Sequence, residues 1–195
     1  MSKGDQTKQT ILEYATSLAS RIGLEALTIG RLASDLDMSK SGLFAHFGSK
    51  EALQLAVLEY ATESFLDLVV KPAFKNDPGE PRVQGLFENW LVWAESTQHE
   101  GGCLFVQAST EYDDQPGPIR DYLVAIQRRW ITGLAESARR AIAIGHFRQD
   151  LDPEQFAFEL YSILVGYHNM RRLLRDPQAN ARVRRTVQEL LDRSH

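Results

Sequence analysis

The 195-residue chain has one cysteine, Cys103, so no intrachain disulfide can form. Two roles stay open for that thiol, a redox or electrophile sensor and a small buried hydrophobe, and the usual burial of free cysteine favours the second. No apolar run approaches the length of a membrane span, and the polar start MSKGDQTKQT is unlike a signal peptide. No membrane partner is therefore expected, and the expected location is the cytoplasm. None of the five histidines, His46, His99, His146, His168 and His195, stands at metal-ligand spacing from another. The G-x-S-x-G, P-loop and G-x-G-x-x-G patterns are missing as well. Glu111, Asp113 and Asp114 gather around Tyr112, but at the edge of a loop, where acidic residues are ordinary. These grounds yield no catalytic residue, no metal and no cofactor. An excess of positive charge is also lacking, since the net charge is −4. Residues 1–50 carry six Lys and Arg against five Asp and Glu, whereas the remainder carries 16 against 21. An acidic body repels DNA, so a general nucleic-acid coat is excluded and only the N-terminal part is suited to approach a phosphate backbone.

What is present is helical periodicity, without repeats, low-complexity tracts or long linkers. Ile11, Leu12, Ala15, Leu18, Ala19 and Ile22 form one apolar stripe from about Thr7 to Ile22, and Gly23 is placed to end that helix. Lys3 and Lys8 are its only residues with a conceivable DNA contact, and solvation is the plainer role for both. Ser49 caps a helix that passes Leu53, Tyr60, Phe65 and Leu68 to about Val70. A loop at 76–81 follows, then a helix from about Arg82 to Gln98 with Phe87, Trp90, Leu91 and Ala94 on one face. The stretch from Cys103 to Tyr112 is short and apolar enough for a strand, but it has no second strand to pair with, so a short helix is expected. After a second loop, Ile119, Leu123, Ile126, Trp130, Leu134 and Ala138 predict a helix over 119–144, closed by Gly145. Asp152-Pro153-Glu154-Gln155 combines an N-cap, a first-turn proline and a capping-box glutamine, which predicts a helix to about Arg175. Asp176-Pro177 repeats that start for a last helix to about Leu191.

The most informative stretch is TIGRLASDLDMSKSGLFAHF, Thr28 to Phe47. Thr28 is a good N-cap, and Ile29, Leu32, Ala33 and Leu36 make one short helix apolar on one face. Asp37 and Met38 interrupt it, Ser39 caps a second short helix, and Leu43, Phe44 and Phe47 supply its apolar positions. Each helix is too short to stand alone and needs tertiary packing. The second exposes Lys40, Ser41, Gly42 and His46, a set that can reach phosphates and base edges from a major groove. Lys50 opens the next helix against the helix dipole. Local chemistry leaves two readings for it, a solvated lysine at a small cost or a cation with a phosphate partner.

These residues resemble the recognition-helix signature of the TetR family of bacterial transcriptional repressors. The matching positions are Met38 and Ser39, Leu43 and Phe44, His46 and Phe47, and Lys50, with Gly23, Thr28, Leu32 and Ala33 upstream. The match covers about the first 55 residues. Phe44 stands where the family has a tyrosine, and Asp37 where it has a turn glycine. The resemblance implies DNA contacts from Thr28, Ser39, Lys40, Ser41, Gly42, Phe44, His46 and Lys50, and it favours the phosphate reading of Lys50.

The helix after Asp152 is apolar on too many sides for a surface helix. Phe156, Leu160, Ile163, Tyr167 and Leu174 make one stripe, and Phe158, Tyr161, Val165 and His168 another, with Ser162 and Gly166 between. Either it is the central core helix of one subunit, or its second face meets a partner, where mid-helix Gly166 permits close backbone approach. The resemblance favours a homodimer through the last two helices, with Phe158, Ser162, Val165, Gly166 and Asn169 at the interface. It also implies a ligand pocket in the aromatic-rich body, for which Trp90, Trp93, Phe105, Tyr122 and Trp130 are the candidates, each of them also suited to be core. The expected fold is all-α with about nine helices: a three-helix head with a helix-turn-helix over residues 1–50, and a larger ligand-binding and dimerisation domain over 51–195. The expected function is a transcriptional regulator of double-stranded DNA, a repressor released from a palindromic operator by a small apolar or aromatic effector. The alternatives are a helical ligand-binding or scaffolding protein that does not act on DNA, and a small helical enzyme.

Overall fold

The computed structural model describes residues 3–96 and 100–195, apart from the side chain of Lys3. The expected helix end near Gln98, and His99, lie outside the described residues. All regular structure among the described residues is helical: α1 (Lys3–Ile22), α2 (Ile29–Asp35), α3 (Lys40–Phe47), α4 (Lys50–Phe65), a π-wound turn (Leu66–Val70), α5 (Lys71–Ala73), α6 (Glu80–Glu95), α7 (Leu104–Tyr112), α8 (Pro118–Ala143), α9 (Pro153–Arg172) and α10 (Ala179–Asp192). Since α4, the π turn and α5 follow without a break, the described chain makes nine continuous helical runs. The residues cluster into two compact units, one of 1–65 with 95–125, the other of 66–94 with 126–195.

In the first unit the α1 stripe is its core. Ile11, Leu12, Ala15, Leu18 and Ala19 are buried, and α4 and α7 both run against α1. Gly23 ends α1 at φ +91°, and Leu24 and Leu27 are completely buried in the connection to α2. The Thr28 hydroxyl accepts from the Arg31 N–H at 3.1 Å, the Ser39 hydroxyl from the Gly42 N–H at 3.1 Å, and the Ser49 hydroxyl from the Ala52 N–H at 3.0 Å. Three hydroxyl caps thus set the starts of α2, α3 and α4. Between α2 and α3 the chain turns on Asp37 at φ +50°, a left-handed conformation that aspartate tolerates through its short polar side chain. Gly101 lies flat on α1: a Cβ there would stand 1.3 Å from the Ser20 carbonyl oxygen.

In the second unit α6 buries Val83, Leu86, Phe87, Trp90, Leu91 and Trp93. Asp152 caps α9 by accepting from the N–H groups of Glu154 and Gln155 at 2.9 and 3.1 Å, with Pro153 in the first turn. The Phe147 ring meets Phe156 at 5.3 Å, and α10 packs along α9 with Val183, Val187, Leu190 and Leu191 buried.

The structure changes several expected boundaries. The helix from Ser49 does not run as α-helix to Val70; it passes into the π turn at Leu66, where Pro72 removes the N–H that would close on Leu68. α9 stops at Arg172 rather than Arg175, and Leu174, expected on its buried stripe, is 59% exposed beyond the helix end. Pro177 does not open α10: Asp176 Oδ1 accepts from the Gln178 N–H at 2.8 Å in a separate turn, and the helix begins at Ala179. Phe44, expected as an apolar position of the second short helix alongside Leu43 and Phe47, is 57% exposed, because only those two neighbours face the core.

Candidate nucleic-acid interface

α3 presents Lys40, Ser41, Phe44 and Ala45 outward, with Gly42 and His46 half-buried at its sides. Leu43 and Phe47 on the opposite side hold it to the rest of the unit. The Lys8 ammonium lies 5.9 Å above the Phe47 ring, and the His46 ring is tilted against Phe47 at 6.1 Å. Lys40 extends beside α2, its Cε 3.6 Å from where a Cβ on Gly30 would stand. Ser41 Oγ donates to Ser39 Oγ at 3.3 Å, so Ser39 serves as cap and as acceptor, while its own O–H stays available. Thr28 is exposed at the start of α2. Every DNA-contact candidate therefore lies on α3 or at a neighbouring helix start within one compact unit.

Lys50 has a partner that the sequence did not disclose. Its ammonium lies 2.7 Å from Glu25 Oε1, so the energetic oddity of a lysine at a helix N-terminus is answered inside the protein. The Tyr112 hydroxyl, from the last residue of α7, donates to Glu25 Oε2 at 2.7 Å, and the Glu25 backbone N–H donates to Glu111 Oε2 at 2.8 Å. Gln54, buried on α4, donates its amide to the Leu24 carbonyl at 2.7 Å. Hydrogen bonds from Lys50 and then Tyr112 hold the Glu25 carboxyl below the ordinary carboxylate pKa. Burial first, and then the Glu25 carboxylate, raise the Tyr112 hydroxyl well above the ordinary tyrosine value. Glu111 and Tyr112, an unremarkable loop edge in sequence, are thus fixed against the connection between α1 and α2. A separation of 86 and 87 residues from Glu25 left no local signal that could have found them.

The five aromatic ligand candidates divide between the two units. In the first, Phe105 is buried with its ring edge-on to Phe65 at 5.9 Å, and the Tyr122 hydroxyl donates to Thr62 Oγ1 at 2.9 Å. In the second, Trp90 is buried edge-on to Tyr167 at 6.2 Å, Trp93 is buried, and Trp130 is half-buried. A cavity of about 320 Å³ in the first unit is lined by other residues, among them Glu13, Tyr14, Ser17, Tyr60 and Ser64 of α1 and α4. On α9, Phe156, Ala157, Leu160, Leu164 and Tyr167 are buried, whereas Phe158, Ser162, Gly166, Asn169 and Met170 are exposed and Val165 is half-buried. A Cβ on Gly166 would meet nothing within 4 Å in the subunit. Cys103 is buried ahead of α7. Among the described residues no group of three His, Cys, Asp or Glu is placed to hold a metal ion, and no helix is long and apolar enough to cross a membrane.

The family model described as "Bacterial regulatory proteins, tetR family" matches residues 11–57, from α1 through half of α4. That described as "Tetracyclin repressor-like, C-terminal domain" matches residues 79–187, more than half of the chain. The chain belongs to the TetR family. This TetR-family protein is a DNA-binding transcriptional regulator, and the resemblance seen in the helix-turn-helix residues continues in a separate match over residues 79–187. It is 25% identical over 151 residues, 77% of its own length and 74% of the relative's, to the HTH-type transcriptional repressor DhaR of Mycobacterium sp. strain GP1. A TetR transcriptional regulator from Chloroflexus aurantiacus has the same fold, with a TM-score of 0.86 at 22% identity over 98% of this chain and 96% of that one. AibR, solved with isovaleryl coenzyme A and operator DNA, superposes with a TM-score of 0.69 at 22% identity over 83% of this chain and 85% of its own.

Proposed function

We propose that this TetR-family regulator is a repressor that holds a palindromic operator as a homodimer and leaves it when a small apolar or aromatic effector binds. One observation carries the reading: α3 turns Lys40, Ser41 and Phe44 outward while its backbone is fixed by the Ser39 cap and the buried Leu43 and Phe47. A short, rigidly seated helix with polar residues in its first turn is suited to enter a major groove. Within it, Lys40, Ser41 and Gly42 face base edges, while Thr28, Ser39, His46 and Lys50 serve the phosphates. Phe44 has no hydroxyl for a phosphate and acts by apolar contact, for example with a thymine methyl.

In this reading residues 1–50 are the DNA-binding head, and 51–195 the ligand-binding and dimerisation domain. The exposed apolar and small residues of α9, Phe158, Ser162, Val165, Gly166 and Asn169, meet their counterparts across a two-fold axis. Two heads then sit in successive major grooves about 34–36 Å apart. Trp90, Trp93, Phe105, Tyr122 and Trp130 are the candidate effector contacts. Repression is supported by the likeness to DhaR, a transcriptional repressor, and response to a ligand by the likeness in fold to AibR, solved with a coenzyme A thioester and operator. The site of action is the cytoplasm, where the chromosome is. Selection from random DNA tests the reading, followed by salt titration of the recovered duplex. Lys50→Ala is expected to weaken all sequences alike and to flatten the salt slope by about one unit. Lys40→Ala is expected to alter base preference, and unchanged preference and affinity in that variant would displace α3 from the groove.

A further inference from the structure

The Lys50 ammonium is held by the carboxylate of Glu25, a residue that is itself tied at both oxygens and at its backbone N–H. Glu25 Oε1 receives Lys50 Nζ at 2.7 Å, Oε2 receives the Tyr112 hydroxyl at 2.7 Å, and the Glu25 N–H is tied to Glu111 at 2.8 Å. Tyr112 is 5% exposed and fixed by packing, whereas the Lys50 and Glu25 side chains are 40% and 53% exposed, so the pair it anchors lies within reach of solvent. The connection itself has no slack: Gly23 stands at φ +91° with Glu111 Oε1 2.6 Å from where its Cβ would be. An ammonium has three donors, so one bond to Glu25 leaves two for a phosphate.

We propose that Glu25 and Tyr112 are positioning residues for DNA binding: they fix the Lys50 ammonium where it meets a backbone phosphate. The proposal rests on the reading of Lys50 as a phosphate contact. A free lysine loses rotamer freedom when it binds, and a prearranged one has lost it already. Glu25 also keeps the cation from being repelled by the positive start of α4. Tyr112 lies outside the matched helix-turn-helix segment of residues 11–57, yet only two hydrogen bonds separate its hydroxyl from that ammonium. The last turn of α7 thereby acts on a DNA contact.

Simple charge counting gives the opposite expectation. Glu25 is a carboxylate close to the DNA-facing side, and removing its charge should tighten binding if repulsion is its main effect. The experiment is a salt titration of the full-length protein on a duplex recovered from random DNA by the wild type. Glu25→Gln is expected to weaken binding by roughly fivefold to tenfold and to lower the salt slope by about one unit, as Lys50→Ala does. Adding Lys50→Ala to Glu25→Gln is then expected to change little, since both remove the same contact. Glu25→Asp keeps the charge but is one methylene short of bridging Lys50 and Tyr112, so it should follow the glutamine variant. Tyr112→Phe should shift affinity in the same direction by about twofold to threefold, because it removes only the anchoring donor. A melting curve on each variant separates a lost fold from a lost position, since only the latter lowers the slope in folded protein. Tighter or unchanged binding in Glu25→Gln, or wild-type behaviour in Glu25→Asp, would overturn the proposal. An unchanged slope in Lys50→Ala would instead overturn the phosphate reading beneath it.

Discussion

Two outward faces of this protein, that of α3 and that of α9, are built on opposite principles. On α3 a single large ring, Phe44, stands among Lys40, Ser41 and Ala45, and the backbone is closed off by the Ser39 hydroxyl at one end and the Gly48 N–H at the other. On α9 Phe158 and Met170 are exposed in line with Ser162, Gly166 and Asn169, and no charged residue interrupts them between Ser162 and Met170. A phosphate surface is met by a few cations and hydroxyls held in fixed positions, because charge and geometry carry that recognition. A protein surface is met by apolar area and by small residues that let backbones approach, because burial carries that one. The difference shows why one face resembles a nucleic-acid site and the other the uncovered half of a core.

The largest effect comes from a comparison of two glycines, one in each unit. Gly101, in the first unit, is required by the fold, since a Cβ would overlap the Ser20 carbonyl. Gly101→Ala is expected to cost about 3 kcal/mol or more, read from urea or thermal unfolding. Wild-type stability in that variant would mean that the approach to α1 is not so close. Gly166 is open in its own subunit, so Gly166→Leu should leave helicity intact. Its expected consequence is a monomer by light scattering, with operator affinity down by about a hundredfold through lost bivalency. A dimer with normal affinity would move the interface away from α9.

Phe44→Tyr tests the α3 face from the polar side. The ring is more than half exposed, so stability should not change, and a new phosphate hydrogen bond should tighten binding by at most about 1 kcal/mol. A large loss would show that the ring edge is enclosed on DNA.

The smallest effect is a difference in pH response. Glu25 is lowered by its bonds from Lys50 and Tyr112, so its contribution is present above the ordinary carboxylate pKa and lost as pH falls through the folded value. Tyr112 is raised by burial and then by Glu25, so its contribution is present below the ordinary tyrosine pKa and lost as pH rises through the folded value. His168 on α9 is lowered from 6.5 by burial and then by Arg172, and its Nε2 has no hydrogen-bond partner. Its neutral form is favoured in the fold, so its contribution is present above 6.5 and fades as pH falls. Melting temperatures should therefore diverge from the wild type's pH profile in His168→Gln between about pH 7 and pH 5, whereas the loss caused by Tyr112→Phe should be present at neutral pH and disappear only in strong alkali. A His168→Gln profile parallel to the wild type would remove the histidine from that response.

Much of the fold was legible because the local signals agreed. The Thr28, Ser39, Ser49 and Asp152 caps, the α1 stripe and the glycines after α1 and α8 mark where helices start and stop through interactions within a few residues. The candidate DNA face was legible for the same reason, since α3 and its caps form one short stretch. Boundaries failed where a local motif met a competing arrangement, as at Pro72, and at Asp176, whose carboxyl closes a turn and pairs with Arg182. The burial of each aromatic was not legible, because Trp90 and Trp130 look alike in sequence and differ only in what surrounds them.

By itself the sequence determined the helices, their caps and the recognition stretch, because those rest on hydrogen bonds and apolar spacing between near neighbours. Only the tertiary structure decided what Lys50 does at rest and which residues answer for it. Glu25, Glu111 and Tyr112 are ordinary in their own segments, and they become one network because α7 and the end of α1 are brought together by packing. A contact made across 86 residues leaves no periodicity in the chain, since the energy that forms it comes from buried apolar residues elsewhere in the unit.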